Sequence, residues 1–258
     1  MDDKKTKSVP ALERALKILE MLANSRTGLT LAEVARHLGL ARSSTHYLLL
    51  TLERTGYLYR NKQTSRYMFG VKLFTLANTG LGGLGVRQQA APFLNTLGQK
   101  TKLTVNMAIL EQNEVVLIEK VEPPSIFRLA TWVGQRLPLH CTGLGKALLA
   151  YLPEPELNQI IKAGLLRHNE NTIVSPKKLK EHLEFVRKVG YAVDNEEATI
   201  GLRGIGAPVL DRDSQAIASI SVAGTTTQIT EDNLVSLAGN VKQAATAISR
   251  CVGSIQQQ

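Results

Sequence analysis

The segment from Thr30 to Gly56 is punctuated tightly enough to leave few folds open. Thr30, followed three residues later by Glu33, has the pattern of a capping box, and Gly39 supplies a stop, so a helix of about two turns is expected over Leu31 to Leu38. After Gly39-Leu40-Ala41 a longer helix is expected from about Arg42 to Arg54, with Thr45, Leu48, Leu49 and Leu52 on one face and Gly56 at its end. Upstream, apolar residues from Ala11 to Leu22 recur at helical spacing and predict a first helix. Short helix, glycine-containing turn and longer helix is the helix-turn-helix order. Beyond Gly56, the alternating runs Tyr57 to Arg60 and Arg66 to Phe69 flank the polar stretch Asn61 to Ser65, which reads as a β-hairpin placed as a wing.

Charge supports this reading once it is divided along the chain. Residues 1–80 hold 13 Lys/Arg against 6 Asp/Glu, a net of +7, whereas residues 81–258 hold 18 against 16, a net of +2. A basic first third beside a near-neutral remainder is what binding to a phosphate backbone by one half requires; a solvated basic surface is the plainer alternative. The outward face of the third helix offers Arg42, Ser43, Ser44, His46 and Tyr47 near its N-terminal end, where a recognition helix meets base edges. Arg60, Lys62 and Arg66 of the hairpin would lie along the phosphates or in the minor groove of double-stranded operator DNA. Taken alone, such a polar helix face also reads as an ordinary solvated surface.

These residues resemble the IclR family of bacterial transcriptional regulators. The likeness is carried by Val9-Pro10-Ala11-Leu12-Glu13-Arg14-Ala15-Leu16, by Leu29-Thr30-Leu31-Ala32-Glu33-Val34-Ala35, and by Leu52-Glu53-Arg54-Thr55-Gly56-Tyr57-Leu58, and it runs the length of the chain. It implies an α+β protein: a winged helix-turn-helix at residues 9–70 after a flexible start at 1–8, a helical linker at 71–88, and a GAF-like effector and oligomerisation domain at 89–258 with a mixed sheet flanked by helices. The linker holds Gly80-Leu81-Gly82-Gly83-Leu84-Gly85, read as a hinge or as a plain loop between helices.

In the larger domain, strands are expected at Thr104 to Leu110, Val115 to Val121, Phe127 to Val133, Ile205 to Leu210 and Ala216 to Ala223. Helices are expected at Gly143 to Tyr151, Glu154 to Ala163, Pro176 to Val189 and from Thr230 to about Cys251. By the resemblance, Leu137, Gly143, Leu144, Asp194, Gly204 and Ser221 line an effector pocket, with backbone amides at Gly143-Leu144 and the Ser221 hydroxyl available to a carboxylate. The family often has Cys where this chain has Gly204 and a second hydroxyl where it has Ala223. Both departures point to a roomier, more apolar pocket, suited to an aromatic acid or one larger than pyruvate. Trp132 and Phe127 precede the first pocket segment and are read either as stacking on that ligand or as strand core.

Other chemistries find little support. The run Gly143-Leu144-Gly145-Lys146 lacks the spacing of a phosphate-binding loop, and neither G-x-S-x-G nor H-E-x-x-H occurs. His140 and Cys141 as strand neighbours would point to opposite faces, which argues against a dyad. Asp194, Glu196 and Glu197 have no His or Cys at ligand spacing and read as a solvated acidic loop, so no metal site and no cofactor are expected. Cys141 and Cys251 form no CxxC pair and are read as reduced thiols. The start Met1-Asp2-Asp3-Lys4-Lys5 has no apolar core of a secretion signal, so a cytoplasmic protein without membrane contact is expected. The expectation is a homodimer or homotetramer that controls a catabolic operon, with no enzymatic activity. The alternative is a ligand-binding or enzymatic C-terminal domain whose helix-turn-helix serves only protein contacts.

Overall fold

The computed structural model describes residues 8–82, 85–124 and 128–255; residues 1–7, Gly83, Leu84 and Phe127 of the expectations above lie outside them. The chain divides into two compact units, Met1–Gly83 and Leu84–Gln258.

The first unit runs α1 (Pro10–Ala23), β1 (Leu29–Thr30), α2 (Leu31–Leu38), α3 (Arg42–Arg54), β2 (Leu58–Arg60), β3 (Arg66–Phe69) and α4 (Val71–Gly82). The capping box forms: Thr30 Oγ1 accepts from the Glu33 amide at 3.3 Å, and Glu33 Oε2 accepts from the Thr30 amide at 2.7 Å. Gly39 ends α2 in the left-handed region at φ 63°, a conformation glycine adopts without a Cβ clash. Ile18, Leu22, Val34, Leu49, Leu52, Leu58 and Tyr67 make the core, so three helices and the hairpin share one interior. A strand absent from the sequence reading, β1, pairs with β3 to give the order β1-β3-β2. Two residues carry too little periodicity to announce a strand. α4 continues through Gly80 to Gly82, so those two glycines do not break it, and α5 begins at Gly85.

The second unit runs α5 (Gly85–Thr101), β4 (Thr104–Glu111), β5 (Glu114–Val121), β6 (Arg136–Leu137), α6 (Gly143–Leu149), α7 (Glu154–Ala163), α8 (Pro176–Val189), β7 (Ala192–Asn195), β8 (Leu202–Leu210), β9 (Ala216–Thr225) and α9 (Glu231–Ile255). Among the described residues, six strands form one sheet in the order β6-β5-β4-β9-β8-β7. Every pairing is antiparallel, where a mixed sheet was expected. β8 is buried along seven consecutive residues, the signature of a strand covered on both faces.

Two further expectations fail here. The described part of Phe127 to Val133 is not a strand, because the carbonyls of Leu129 and Thr131 accept from Lys120 Nζ at 2.9 and 2.7 Å instead of joining a ladder. The segment at Asp194 is not a solvated acidic loop. Asp194 lies within strand β7, and both Asp194 and Glu197 are buried.

α6 sits on the sheet at a distance only glycines permit. A Cβ on Gly206 would stand 2.2 Å from the Gly143 carbonyl oxygen, and one on Gly143 would stand 3.0 Å from the Gly206 nitrogen. Backbone therefore meets backbone, and the start of α6 is held against β8.

Candidate functional sites

In the first unit, Thr45, Leu49 and Leu52 turn one face of α3 into the core, which leaves Arg42, Ser43, Ser44, His46 and Tyr47 exposed on the other. Tyr47 is 69% exposed, with the His46 ring 6.2 Å from its own between centroids, so both present polar edges to solvent. The hairpin tip is built by Asn61, whose Oδ1 accepts from the amides of Gln63 and Thr64 at 2.9 and 3.1 Å. Arg60 and Lys62 stand exposed beside it, with the Arg60 guanidinium 5.8 Å from the centre of the Tyr67 ring. Arg66 is placed differently from its neighbours. Its guanidinium donates to the Gly28 carbonyl at 2.7 Å and to both oxygens of Glu33 at 3.2 and 3.3 Å, so it fastens the capping box of α2 to the hairpin.

In the second unit, a cavity of about 140 Å³ lies between α6 and the sheet. Its wall includes Leu137, Gly143, Leu144, Asp194, Gly204 and Ser221. The strand register explains how residues so distant in sequence meet. Asp194 pairs with Gly204, Gly204 with Ala223, Gly206 with Ser221, and Ser221 with Asn106, so adjacent strands deliver alternate residues to one face. A Cβ at Gly204 would find only ordinary contacts, at 3.7 Å from Asp194 Cβ, so this glycine leaves room that a side chain would fill. Trp132 is 61% exposed and does not line the cavity; Leu129 and Thr131 from the same segment do. The described residues from Arg128 to Val133 form no strand, and a turn with Gly134 at φ 90° follows Trp132.

The polar wall was only partly anticipated. Asn106 is buried, and its Oδ1 has no hydrogen-bond partner among the described residues. Arg203 is buried, with Nε donating to Asn195 Oδ1 and Nη1 to the Ile229 carbonyl, both at 2.8 Å. Thr142 caps α6, accepting from the Gly145 amide at 3.0 Å and donating to the Pro138 carbonyl at 2.7 Å. Each is a single polar residue within a strand or turn, and only the register reveals which face it occupies.

Asp194 Oδ1 accepts from the amides of Glu197 and Ala198 at 2.8 and 3.3 Å. Burial nevertheless pushes its carboxyl up to about 6, against the pull of Lys146 and those two amides. Lys146 is fully buried and donates to the Val193 carbonyl and to Glu197, so the lysine of the glycine-rich run is taken up in structure. Cys141 is buried beside these acids, and burial with their charge raises its thiol to about 12.

The family model described as the IclR helix-turn-helix domain matches residues 11–62, and that for the bacterial transcriptional regulator IclR C-terminal domain matches residues 79–250. The chain belongs to the IclR family. It is 33% identical over 254 residues to the transcriptional repressor IclR of Escherichia coli (strain K12), covering 97% of this chain and 93% of that one. The crystal structure of the Thermotoga maritima IclR superposes with a TM-score of 0.82 at 32% identity, covering 94% and 98% of the two chains. An IclR homolog from Microbacterium hydrocarbonoxydans, solved in complex with 4-hydroxybenzoate, shares the fold at a TM-score of 0.84 and 24% identity, over 95% and 99% of the chains. As an IclR-family member the protein is a transcriptional regulator and not an enzyme. Among the described residues, no helix is long and apolar enough to cross a membrane.

Proposed function

We propose that this IclR-family regulator binds operator DNA through the exposed face of α3 and the hairpin, and that a hydroxylated aromatic carboxylate entering the cavity beside α6 alters that affinity. The observation that carries the reading is the convergence of Leu137, Gly143, Leu144, Asp194, Gly204 and Ser221 on one cavity. Its volume of about 140 Å³ is close to the ~150 Å³ at which an apolar cavity accepts a benzene ring. Leu129, Leu137, Leu144 and Leu202 supply apolar wall for the ring, while the backbone amides at Gly143-Leu144 and the Ser221 hydroxyl suit the carboxylate. The unpartnered Asn106 Oδ1 favours an occupant that donates a hydrogen bond, as a ring hydroxyl does. The binding of 4-hydroxybenzoate by a relative of the same fold makes that acid the natural first probe.

On this reading residues 9–70 read DNA, 71–88 link, and 89–258 bind effector and assemble a cytoplasmic homodimer or homotetramer. One recognition helix reads only a half-site, and pairing two is the common route to specificity. Isothermal titration of the full-length protein with 4-hydroxybenzoate and with pyruvate tests the pocket. The aromatic acid is expected to bind at least about tenfold more tightly, and Gly204→Cys to erase that preference by filling the cavity. Tight binding of pyruvate with none of the aromatic acid would overturn the inference about ligand size.

A further inference from the structure

A second cluster of reactive side chains lies outside the cavity wall. His140, Cys141 and His168 each offer one ligand atom, and these atoms lie within 4.8 Å of one another. His140 and Cys141 are buried and His168 is exposed, so the cluster opens to solvent on one side. The two imidazole rings are 6.0 Å apart between centroids and inclined by 32°. Sequence neighbours point apart only on an extended strand, and residues 139–142 instead bend into the start of α6, which lets His140 and Cys141 serve one site.

The surroundings are those of a ligand set. His140 Nε2 stands 2.9 Å from the Leu166 carbonyl, which can only accept, so Nε2 carries the proton and Nδ1 the lone pair. A histidine whose outer N–H is fixed by a backbone carbonyl is the common arrangement for a metal-bound imidazole.

We propose that His140, Cys141 and His168 bind a transition-metal dication, with Zn²⁺ as the principal occupant. Two imidazoles and one thiol suit zinc and its neighbours; magnesium and calcium call for oxygen ligands, which this cluster lacks. On binding, the Cys141 S–H bond breaks, its proton leaves to solvent and a metal–sulfur bond forms, with no change of oxidation state. Tetrahedral bond lengths of about 2.0–2.3 Å bring ligand atoms to within roughly 3.3–3.7 Å of one another, a closure that the exposed His168 can make by rotation. Three protein ligands leave the fourth position to water. Thr142, Gly143 and Leu144, next along the chain, wall the cavity, so the metal would fasten the segment carrying His168 to the wall of that pocket.

The test uses the full-length protein, reduced and stripped with a chelator, then titrated with Co²⁺ and back-titrated with Zn²⁺ while absorption is recorded. One equivalent of Co²⁺ is expected to produce visible bands of a four-coordinate ion and a near-ultraviolet thiolate-to-cobalt charge-transfer band, both erased by Zn²⁺. Cys141→Ser should lose the charge-transfer band while Cys251→Ser keeps it, and His168→Ala should weaken affinity by about tenfold or more. Since His168 is exposed, that variant keeps the test valid even where Cys141→Ser does not fold. The proposal is overturned by absence of the charge-transfer band, by its survival in Cys141→Ser, or by unchanged affinity in His168→Ala.

Discussion

Gly206 and Asp194 show how single residues set the properties of the cavity. The 2.2 Å that would separate a Cβ on Gly206 from the Gly143 carbonyl is far inside contact distance, and both partners are backbone, so neither can yield by a rotamer change. Gly206→Ala should therefore destabilise the second unit by about 1–3 kcal/mol, the usual cost of overpacking, seen as a lower urea midpoint with the m-value unchanged. Asp194 supplies a dependence on pH. Its carboxyl titrates near 6 in the folded protein against an ordinary value of 3.8, so the fold favours the neutral acid and this group's contribution to stability falls as pH rises between those values. A carboxylate ligand meets a neutral Asp194 below about pH 6 and an anion above it. Lowering pH from about 7.5 to about 5.5 is expected to tighten binding of 4-hydroxybenzoate by roughly three- to tenfold, and Asp194→Asn to flatten the profile. A titration profile that is flat in the parent protein, or still sloped in Asp194→Asn, would show that Asp194 does not face the ligand.

At the scale of elements, the first unit was the more legible, because its signals are local. Thr30, Glu33 and Gly39 delimit α2 by hydrogen bonds and backbone conformation that span only a few residues, and the sequence states them directly. The two-residue β1 carried no such signal, and neither did the inward turn of Arg66. That turn depends on the carbonyl of Gly28, 38 positions away. Arg66→Ala is accordingly expected to lower the thermal midpoint of the first unit, whereas Arg42→Ala, on the exposed face of α3, should leave it unchanged and weaken DNA binding by about tenfold. A melting curve unaltered by Arg66→Ala would show that the link to Glu33 contributes nothing to stability. In the second unit the long strands and helices were readable from their periods, but β6 and β7 are short, and the sheet order brings together residues that no local pattern relates. Six of the seven nominated pocket residues meet there, and all six came from the family resemblance. Trp132, nominated from the character of its segment, stands outside, and Asn106 and Arg203 became visible only through the register of β4 and β8. The convergence of His140 with His168, 28 positions apart in sequence, was hidden for the same reason, since a bend and a distant loop had to be placed first.

For the whole molecule, the account requires two sites in separate units to share one equilibrium. A ligand shifts DNA affinity only if it binds the DNA-competent arrangement and its alternative unequally, and the shift cannot exceed that difference. The charge division supports the assignment of roles, with a net of +7 over residues 1–80 against +2 over the rest. The most direct test is fluorescence anisotropy of the full-length protein on DNA from upstream of its own coding region, across a salt series, with and without saturating 4-hydroxybenzoate. The account predicts specific binding that weakens as salt rises, a shift of about fivefold or more in affinity on adding the acid, and loss of that shift in Gly204→Cys with DNA binding retained. Specific binding that the acid leaves unchanged at every salt concentration, while calorimetry shows the pocket filled, would contradict it.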